Sequence, residues 1–566
     1  MTEASGGKAL RQLAEAMRLQ QAGRLEDAEA LYAAIIGKYP DDATALINGG
    51  VLALTRGDVA KAIARLTVAV RVAPRNAIAH NNLGFAQLQA RDPDAALAAL
   101  DEAVRLSPAY AQAHNNIGIA LVQLQRPDEA AVAFERALML DPRAADTAIN
   151  LGEVHARAGR AEPARRAFER ALAVDPGSVT ARTCLAFARA LGRDVDGARA
   201  ELEAIVAEHP ESQAAQRTLG AVANWSWAHE RGEAAFRAAL ALQPDDAESA
   251  FGVASTLLAR GRYREGFAVF EQRAEGIGSA RTRFARWPSW TGARVAGTLL
   301  VYAEQGLGDV VQFARFVARA RERASRVVLL VDDYWTPLEP LLAGMEGADR
   351  VVTSVGALSN ETIAARASIL SLPHLLGVAV DALDAAPYLH APPDRAAAWR
   401  ERLRDVPHSR VGLAWSVFAR SDYGYVTQHK SVPPAVLAPL LDVPGMRFVT
   451  LQPGAAGDPA VFGDRGARIV DLRSEIRDFG DTAALIESLD LVIAPDTAVT
   501  HVAGALGVPV WMLDRFNCCW RWRLATHESP WYPSLRIFRQ ASFGDWSQPV
   551  AHAFDALRAL QARRTD

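Results

Sequence analysis

The stretch Leu489–Leu513, LDLVIAPDTAVTHVAGALGVPVWML, holds the residues best suited to chemistry. It opens with an apolar run, Leu491–Ala494, that reads as a buried strand, and it breaks at Pro495. Asp496, Thr497 and His501 follow, on a small-residue helix expected over Ala498–Leu506. A strand feeding a helix through a polar turn is the layout in which α/β folds hold ligands. The start of that helix offers unpaired N–H groups and a positive dipole end, which suits a phosphate. The plainer reading is an ordinary βαβ unit with Asp496 or Thr497 as a helix cap.

A second candidate is VYAEQGLGDVVQFARF, where Gly306-Leu-Gly308-Asp309 follows one predicted strand and opens a helix. It departs from a dinucleotide fingerprint twice. The third glycine position is Val311, and Asp309 puts a carboxylate where a pyrophosphate would dock. A carboxylate offered to a cleft suits a general base. The plainer reading is a helix-start carboxylate favoured by the dipole.

The elements that must position these residues differ between the two halves of the chain. In the first half, small residues recur every 34 positions, at Ala28, Ala62, Ala96, Ala130, Ala164 and Ala198. Four residues after each stands a large apolar one (Tyr32, Leu66, Leu100, Phe134, Phe168, Leu202), and twelve after each stands a proline, from Pro40 to Pro210. In the preceding helix the small position is Ala16, Gly50, Gly84, Gly118, Gly152, Ala186 and Gly220. Small residues let two helices approach, the bulky residue fills the space between them, and proline ends the second helix. Six good repeats run over about 9 to 212; a seventh keeps Gly220, Phe236 and Pro244, and a degenerate eighth spans about 247 to 275. The array resembles the tetratricopeptide repeat, which implies an α-solenoid over 1–275 whose concave face binds a protein.

Asn48, Asn82, Asn116 and Asn150 also stand 34 apart, accompanied by His80–Asn81 and His114–Asn115, and the ladder lapses at Ala14, Cys184 and Thr218. An amide can donate to and accept from a peptide backbone without reading its side chains. A similar asparagine ladder lines the peptide groove of O-linked N-acetylglucosamine transferase. The expected client groove therefore comprises Asn48, Asn82, Asn116, Asn150, His80 and His114. The plainer reading is asparagines that satisfy neighbouring helix ends.

Composition bounds the rest. A chain of 566 residues holds at least two domains, and its net charge of −3, without a basic stripe, gives no support for nucleic-acid binding. Three cysteines, Cys184, Cys518 and Cys519, make no disulfide framework, and the N-terminus lacks the order of a signal peptide. No stretch reaches the roughly 20 apolar residues of a membrane span. A cytoplasmic protein without a membrane span is expected. The twelve histidines show no metal-ligand spacing, so no metal site is expected.

Residues 276–296 carry Trp287, Pro288, Trp290 and Gly292 and read as a packed connector. From 297 onward short apolar runs alternate with helical stretches, which implies parallel sheet. Strands are expected near Thr298–Ala303, Arg326–Val331 and Val351–Val355 in a first lobe, 297–390. A second lobe, 391–566, is expected to have strands near Val411–Trp415, Arg447–Leu451, Arg468–Asp471, Leu491–Ala494 and Val508–Leu513. Two sheets of similar size suggest paired Rossmann-like lobes around a cleft.

EQGLGDVVQFAR and the 489–511 stretch, with VGLAWS (411–416), KSVP (430–433), DFGDTAALIESLDLVI (478–493), WRW (520–522), SPWYPSLRIFRQ (529–540) and GDW (544–546), resemble transferases related to the ADP-heptose:lipopolysaccharide heptosyltransferases. The resemblance covers nearly all of 297–560 and implies a GT-B fold, a metal-independent glycosyltransferase, and no cofactor beyond a nucleotide sugar as co-substrate. It assigns acceptor activation to Asp309. It assigns the donor to Gly306, Gly308, Lys430, Asp496, Thr497, Ala498 and His501, with Lys430 neutralising the leaving phosphate. The chain departs from the pattern at Val417, where the family commonly has glycine, and in the tyrosine-rich loop that follows. Trp520, Trp522, Trp531 and Trp546 are expected to pack, or to clamp the lobes together. A final helix, Val550–Ala562, is expected to return to the first lobe and to form part of the 391–566 domain.

A repeat array joined to a transferase also resembles bacterial flagellin glycosyltransferases, whose donor is an activated nonulosonic acid. The expectation is protein O-glycosylation of Ser or Thr, with flagellin as the client and Asp309 taking the hydroxyl proton. The alternatives are transfer to a lipopolysaccharide or other glycan acceptor, and a repeat scaffold whose transferase half has lost its chemistry.

Overall fold

The computed structural model describes residues 3–273, 283–379, 383–417, 430–522 and 527–565. The chain forms two compact units, Met1–Gly192 and Arg193–Asp566.

The first unit is built of helices from Glu3–Gln21 to Val179–Leu191, two to each 34-residue period. The spacing of small residues explains their packing. A Cβ on Gly50, Gly84, Gly118 or Gly152 would stand 2.4–2.7 Å from Leu66, Leu100, Phe134 or Phe168 respectively, so only glycine allows this approach. The turn inside each period needs one left-handed residue: Gly23, Gly57, Arg91, Gln125 and Gly159 all have positive φ, 34 residues apart. The array is an α-solenoid, as the periodicity implies.

The second unit contains the last five helices of the array, Val195–Glu208, Gln213–Trp225, His229–Leu242, Ala247–Ala259 and Tyr263–Phe270, followed by the sheets. The periodicity predicts a division at 275, yet the last helix is part of the α/β core. Tyr263 stacks on Trp531 at 5.6 Å between ring centres, and Phe267 meets Phe313 and Trp520 edge-on at 6.0 Å. The tandem aromatics Trp225 and Trp227 likewise stack on Phe543 and Phe516. Apolar burial of this kind sets which elements hold together, whatever the repeat register says.

The first sheet has four parallel strands in the order β3-β2-β1-β4: β1 (Val295–Tyr302), β2 (Ala324–Leu330), β3 (Arg350–Val352) and β4 (Ile363–Ser368). The second has six in the order β10-β9-β8-β5-β6-β7: β5 (Arg410–Leu413), β6 (Arg447–Thr450), β7 (Ile469–Val470), β8 (Leu491–Pro495), β9 (Val510–Asp514) and β10 (Leu535–Arg539). The sheets are thus unequal, and β4 and β10 were absent from the expected strands. Of the connector, 283–294 packs along β4: Trp290 N–H donates to Arg366 O at 2.7 Å and Arg366 N–H to Pro288 O at 2.8 Å. Its residues 276–282 lie outside the described residues, as do 418–429 of the tyrosine-rich loop.

The final helix, Ser547–Thr565, corrects another expectation. Its buried Val550, Ala553 and Leu557 lie in the core of the second sheet with Leu413, Phe448 and Phe538, so it covers that sheet instead of returning to the first. Trp522 and Trp531 are wholly buried, and Trp520 and Trp546 nearly so. They pack as expected, and Trp531 also joins the second lobe to Phe313 and Phe316 of the first.

Candidate functional site

Each sheet has one place where the chain reverses its direction of winding. In the first sheet β1, β2 and β3 run outward one way and β4 lies on the other side of β1; in the second, β5 to β7 run one way and β8 to β10 the other. Loops leaving adjacent strands there diverge and open a crevice. The turn after β1 carries Gly306, Gly308 and Asp309, and the turn after β8 carries Asp496 and Thr497.

The structure brings these two turns together. The helices Leu307–Ala314 and Ala498–Leu506 meet near their starts: a Cβ on Gly308 would lie 2.7 Å from His501 Cδ2 and 3.4 Å from Ala498 Cα. Gly308 is therefore required by close approach. Asp309 Oδ2 accepts the Gly306 N–H at 2.9 Å, and its Oδ1 accepts from the guanidinium of Arg521. Asp309 thus takes the helix-start position, and both of its carboxylate oxygens are engaged.

Lys430 Nζ stands 2.8 Å from Asp496 Oδ2, bringing together two residues 66 apart in sequence. Burial pushes the Asp496 carboxyl up, but Lys430 and then His501 outweigh it and hold the group well below the usual carboxylate range. His501 shares a hydrogen bond between Nδ1 and the Tyr532 hydroxyl at 3.0 Å, with Nε2 3.9 Å from Asp496 Oδ1. Its burial, reinforced by Arg521 and Lys430 and opposed by Asp496, depresses its pKa to about 4, so the ring is neutral near pH 7. Thr497 occupies the cap position of its helix without a side-chain cap hydrogen bond, and its Oγ1 is buried without a hydrogen-bond partner. The helix start, Thr497 and the Lys430 ammonium form an arrangement able to hold an anion.

Arg521 was missed among the expected site residues. It is buried, donates to Asp309 and to Gln312 Oε1, reaches Cys519 Sγ at 2.9 Å, and its guanidinium lies 4.4 Å from the centre of the Trp520 ring. The WRW triplet was its sequence signal: an arginine between two tryptophans needs an acceptor once the tryptophans are buried. Tyr532, also missed, touches His501 and lies 3.4 Å from the Tyr388 hydroxyl.

The expected groove residues lie in the first unit. His80 and His114 face the preceding turn, each with Nε2 3.0 Å from a proline carbonyl, of Pro74 and Pro108. That contact engages one ring nitrogen of each histidine. Three of the four ladder asparagines join a chain of amides: Asn150 donates to Asn115 at 3.1 Å, Asn115 to Asn116 at 3.4 Å, Asn116 to Asn81 at 2.9 Å, and Asn81 to Asn82 at 3.3 Å. The ladder exists, and part of its hydrogen-bonding capacity is spent on itself.

Among the described residues no helix is long and apolar enough to cross a membrane. A tetratricopeptide-repeat model matches residues 13–66, 49–111, 82–148 and 229–279, and a second such model matches 121–178 and 155–222. Protein FlbA of Caulobacter vibrioides is 30% identical over 352 residues, 56% of this chain and 56% of FlbA. The chain therefore spans just over half the length of this curated relative. Among solved structures, a tetratricopeptide repeat protein from Parabacteroides merdae is 17% identical, covering 44% of this chain and 98% of its own at a TM-score of 0.38. A thermophilic repeat protein of Thermus thermophilus is 24% identical, covering 32% and 99% at a TM-score of 0.29. The chain is a tetratricopeptide-repeat solenoid followed by an α/β region of two parallel sheets.

Proposed function

We propose that the protein is an O-glycosyltransferase of the GT-B type that holds a protein client with its repeats and glycosylates Ser or Thr from a nucleotide-activated sugar. The observation that carries this reading is the meeting of the two switch-point turns, in which Gly308, the residue before Asp309, lies against Ala498 at the start of the helix that Thr497 caps. In the reaction the client hydroxyl oxygen bonds to the anomeric carbon while the bond from that carbon to the donor phosphate oxygen breaks. Asp309 takes the hydroxyl proton, and the nucleotide leaves with the electron pair against Thr497, Ala498 and Lys430. Arg521 holds one oxygen of Asp309, so the base is freed when an anionic group of the donor competes for the guanidinium. The proposed donor is a nonulosonic acid, the proposed client is flagellin, and the proposed setting is the cytoplasm, where client and nucleotide sugar meet.

A second reading, a repeat scaffold without catalysis, is favoured by the full engagement of Asp309 and of Asp496. Intact mass of flagellin co-expressed with the protein, in cells making nonulosonic acids, separates the two. A sugar-sized mass gain that disappears with Asp309→Asn is expected. Flagellin that binds the protein and stays unmodified would favour the scaffold.

A further inference from the structure

The turn that presents Asp309 is tied to the end of the repeat array by a buried ion pair. Arg273, three residues past the helix Tyr263–Phe270, is 5% exposed. Its Nε and Nη2 donate to the two carboxylate oxygens of Glu304, each at 2.8 Å. Its other donors reach Glu271 Oε1 at 3.0 Å, Ser371 Oγ at 3.0 Å and Phe270 O at 3.2 Å. Glu304 also accepts from the hydroxyl of Ser368 at the end of β4. It therefore sits where β1 and β4 part, at the switch point of the first sheet, and is joined to both strands and to the last repeat.

Glu304 is two residues before Gly306, whose N–H is held by Asp309. Between them Gln305 has φ 63°, a left-handed conformation that glutamine adopts at a cost, and its carbonyl accepts from Trp335 Nε1 at 3.0 Å. A strained turn persists only where its surroundings over-determine it. A buried ion pair is a poor source of stability compared with apolar packing, but a two-pronged arginine–carboxylate contact defines orientation well. Tyr263 and Phe267 already supply the apolar contact between this helix and the sheets.

We propose that Arg273 and Glu304 are positioning residues: through them the last repeat sets the geometry of the turn that places Asp309. This rests on the reading of Asp309 as the acceptor-side base only for its consequence in catalysis; the mechanical coupling stands apart from it. The test uses the full chain with Arg273→Met, Arg273→Lys and Glu304→Gln, and follows amide hydrogen exchange in the peptide 303–314. Exchange there rises about tenfold in Arg273→Met and Glu304→Gln, and less in Arg273→Lys, while strands β8 and β9 keep their protection. In client transfer kcat falls about tenfold or more with the KM for donor unchanged, because a small displacement of a reacting group is costly. Unchanged exchange over 303–314 overturns the coupling. Increased exchange with unchanged kcat overturns the positioning role. Wild-type protein without transferase activity overturns the functional reading alone, since the exchange result still decides the coupling. If Arg273→Met fails to fold, Glu304→Gln, which keeps the shape of the side chain, carries the measurement.

Discussion

Among individual residues, His501 shows how the site is poised. Its ring is buried between Tyr532 and Asp496 and kept neutral, with a pKa of about 4 against an ordinary 6.5. Between those two values the unfolded chain binds a proton that the folded chain does not, so this residue makes stability rise with pH through the window and lowers it on acidification. Each pKa unit is worth about 1.4 kcal/mol, so the residue accounts for about 3 kcal/mol of acid destabilisation from pH 6.5 to pH 4. Urea unfolding at a series of pH values checks this: His501→Gln should flatten the slope between pH 6.5 and 4. A slope equal to that of the wild type would mean the ring is protonated as easily as in water. The same neighbourhood shows the limits of reading single residues from sequence. Asp309, Asp496, Thr497 and His501 announce themselves through their turns. Arg521 is signalled only by its place in WRW, and its role stays hidden because its partner stands 212 residues earlier and its neighbours, Trp520 and Trp522, read as packing.

For elements, legibility follows the strength of the periodic signal. The 34-residue spacing specifies sixteen helices because every period repeats the same steric requirement. β1, β2, β5, β6, β8 and β9 are apolar runs with little else to be. β4, IAARAS, and β10, LRIFR, escape notice because small residues and arginines fill positions that sheets usually give to large aliphatics. Arg366 is accommodated in β4 by donating from Nε to Phe284 O at 2.7 Å, a partner supplied by the connector. The helix Tyr263–Phe270 has a repeat's sequence and a sheet-covering helix's burial. A chain beginning at Arg193 is accordingly expected to unfold cooperatively in a thermal melt. A chain beginning at residue 283, which exposes the faces of Phe313, Trp520 and Trp531 that Tyr263 and Phe267 cover, is expected to lose about 3 kcal/mol or more and to aggregate. Equal melting temperatures for the two would restore the boundary at 275.

For the whole molecule, the repeat solenoid and the two-sheet region were legible from pattern alone, and the division into compact units was not. Periodicity records which helices resemble one another; burial decides which of them hold together, and the surfaces that decide it are aromatics on the helix and loops around the sheets. The left-handed turns of the array carry a different message. Gly23, Gly57 and Gly159 take this conformation freely, whereas Arg91 and Gln125 take it at φ 61° and 60°. Each such residue costs about 1 kcal/mol relative to glycine, less what glycine loses in ordering a freer unfolded chain. Trp227 is a different case, since at φ 62° it also stacks on Phe516 and donates to its carbonyl at 3.3 Å. Arg91→Gly together with Gln125→Gly should therefore raise the urea midpoint of the first unit, and an unchanged or lower midpoint would show that these side chains compensate for their backbone. The array thereby keeps stabilising substitutions within reach, available to offset destabilising changes elsewhere on its surface.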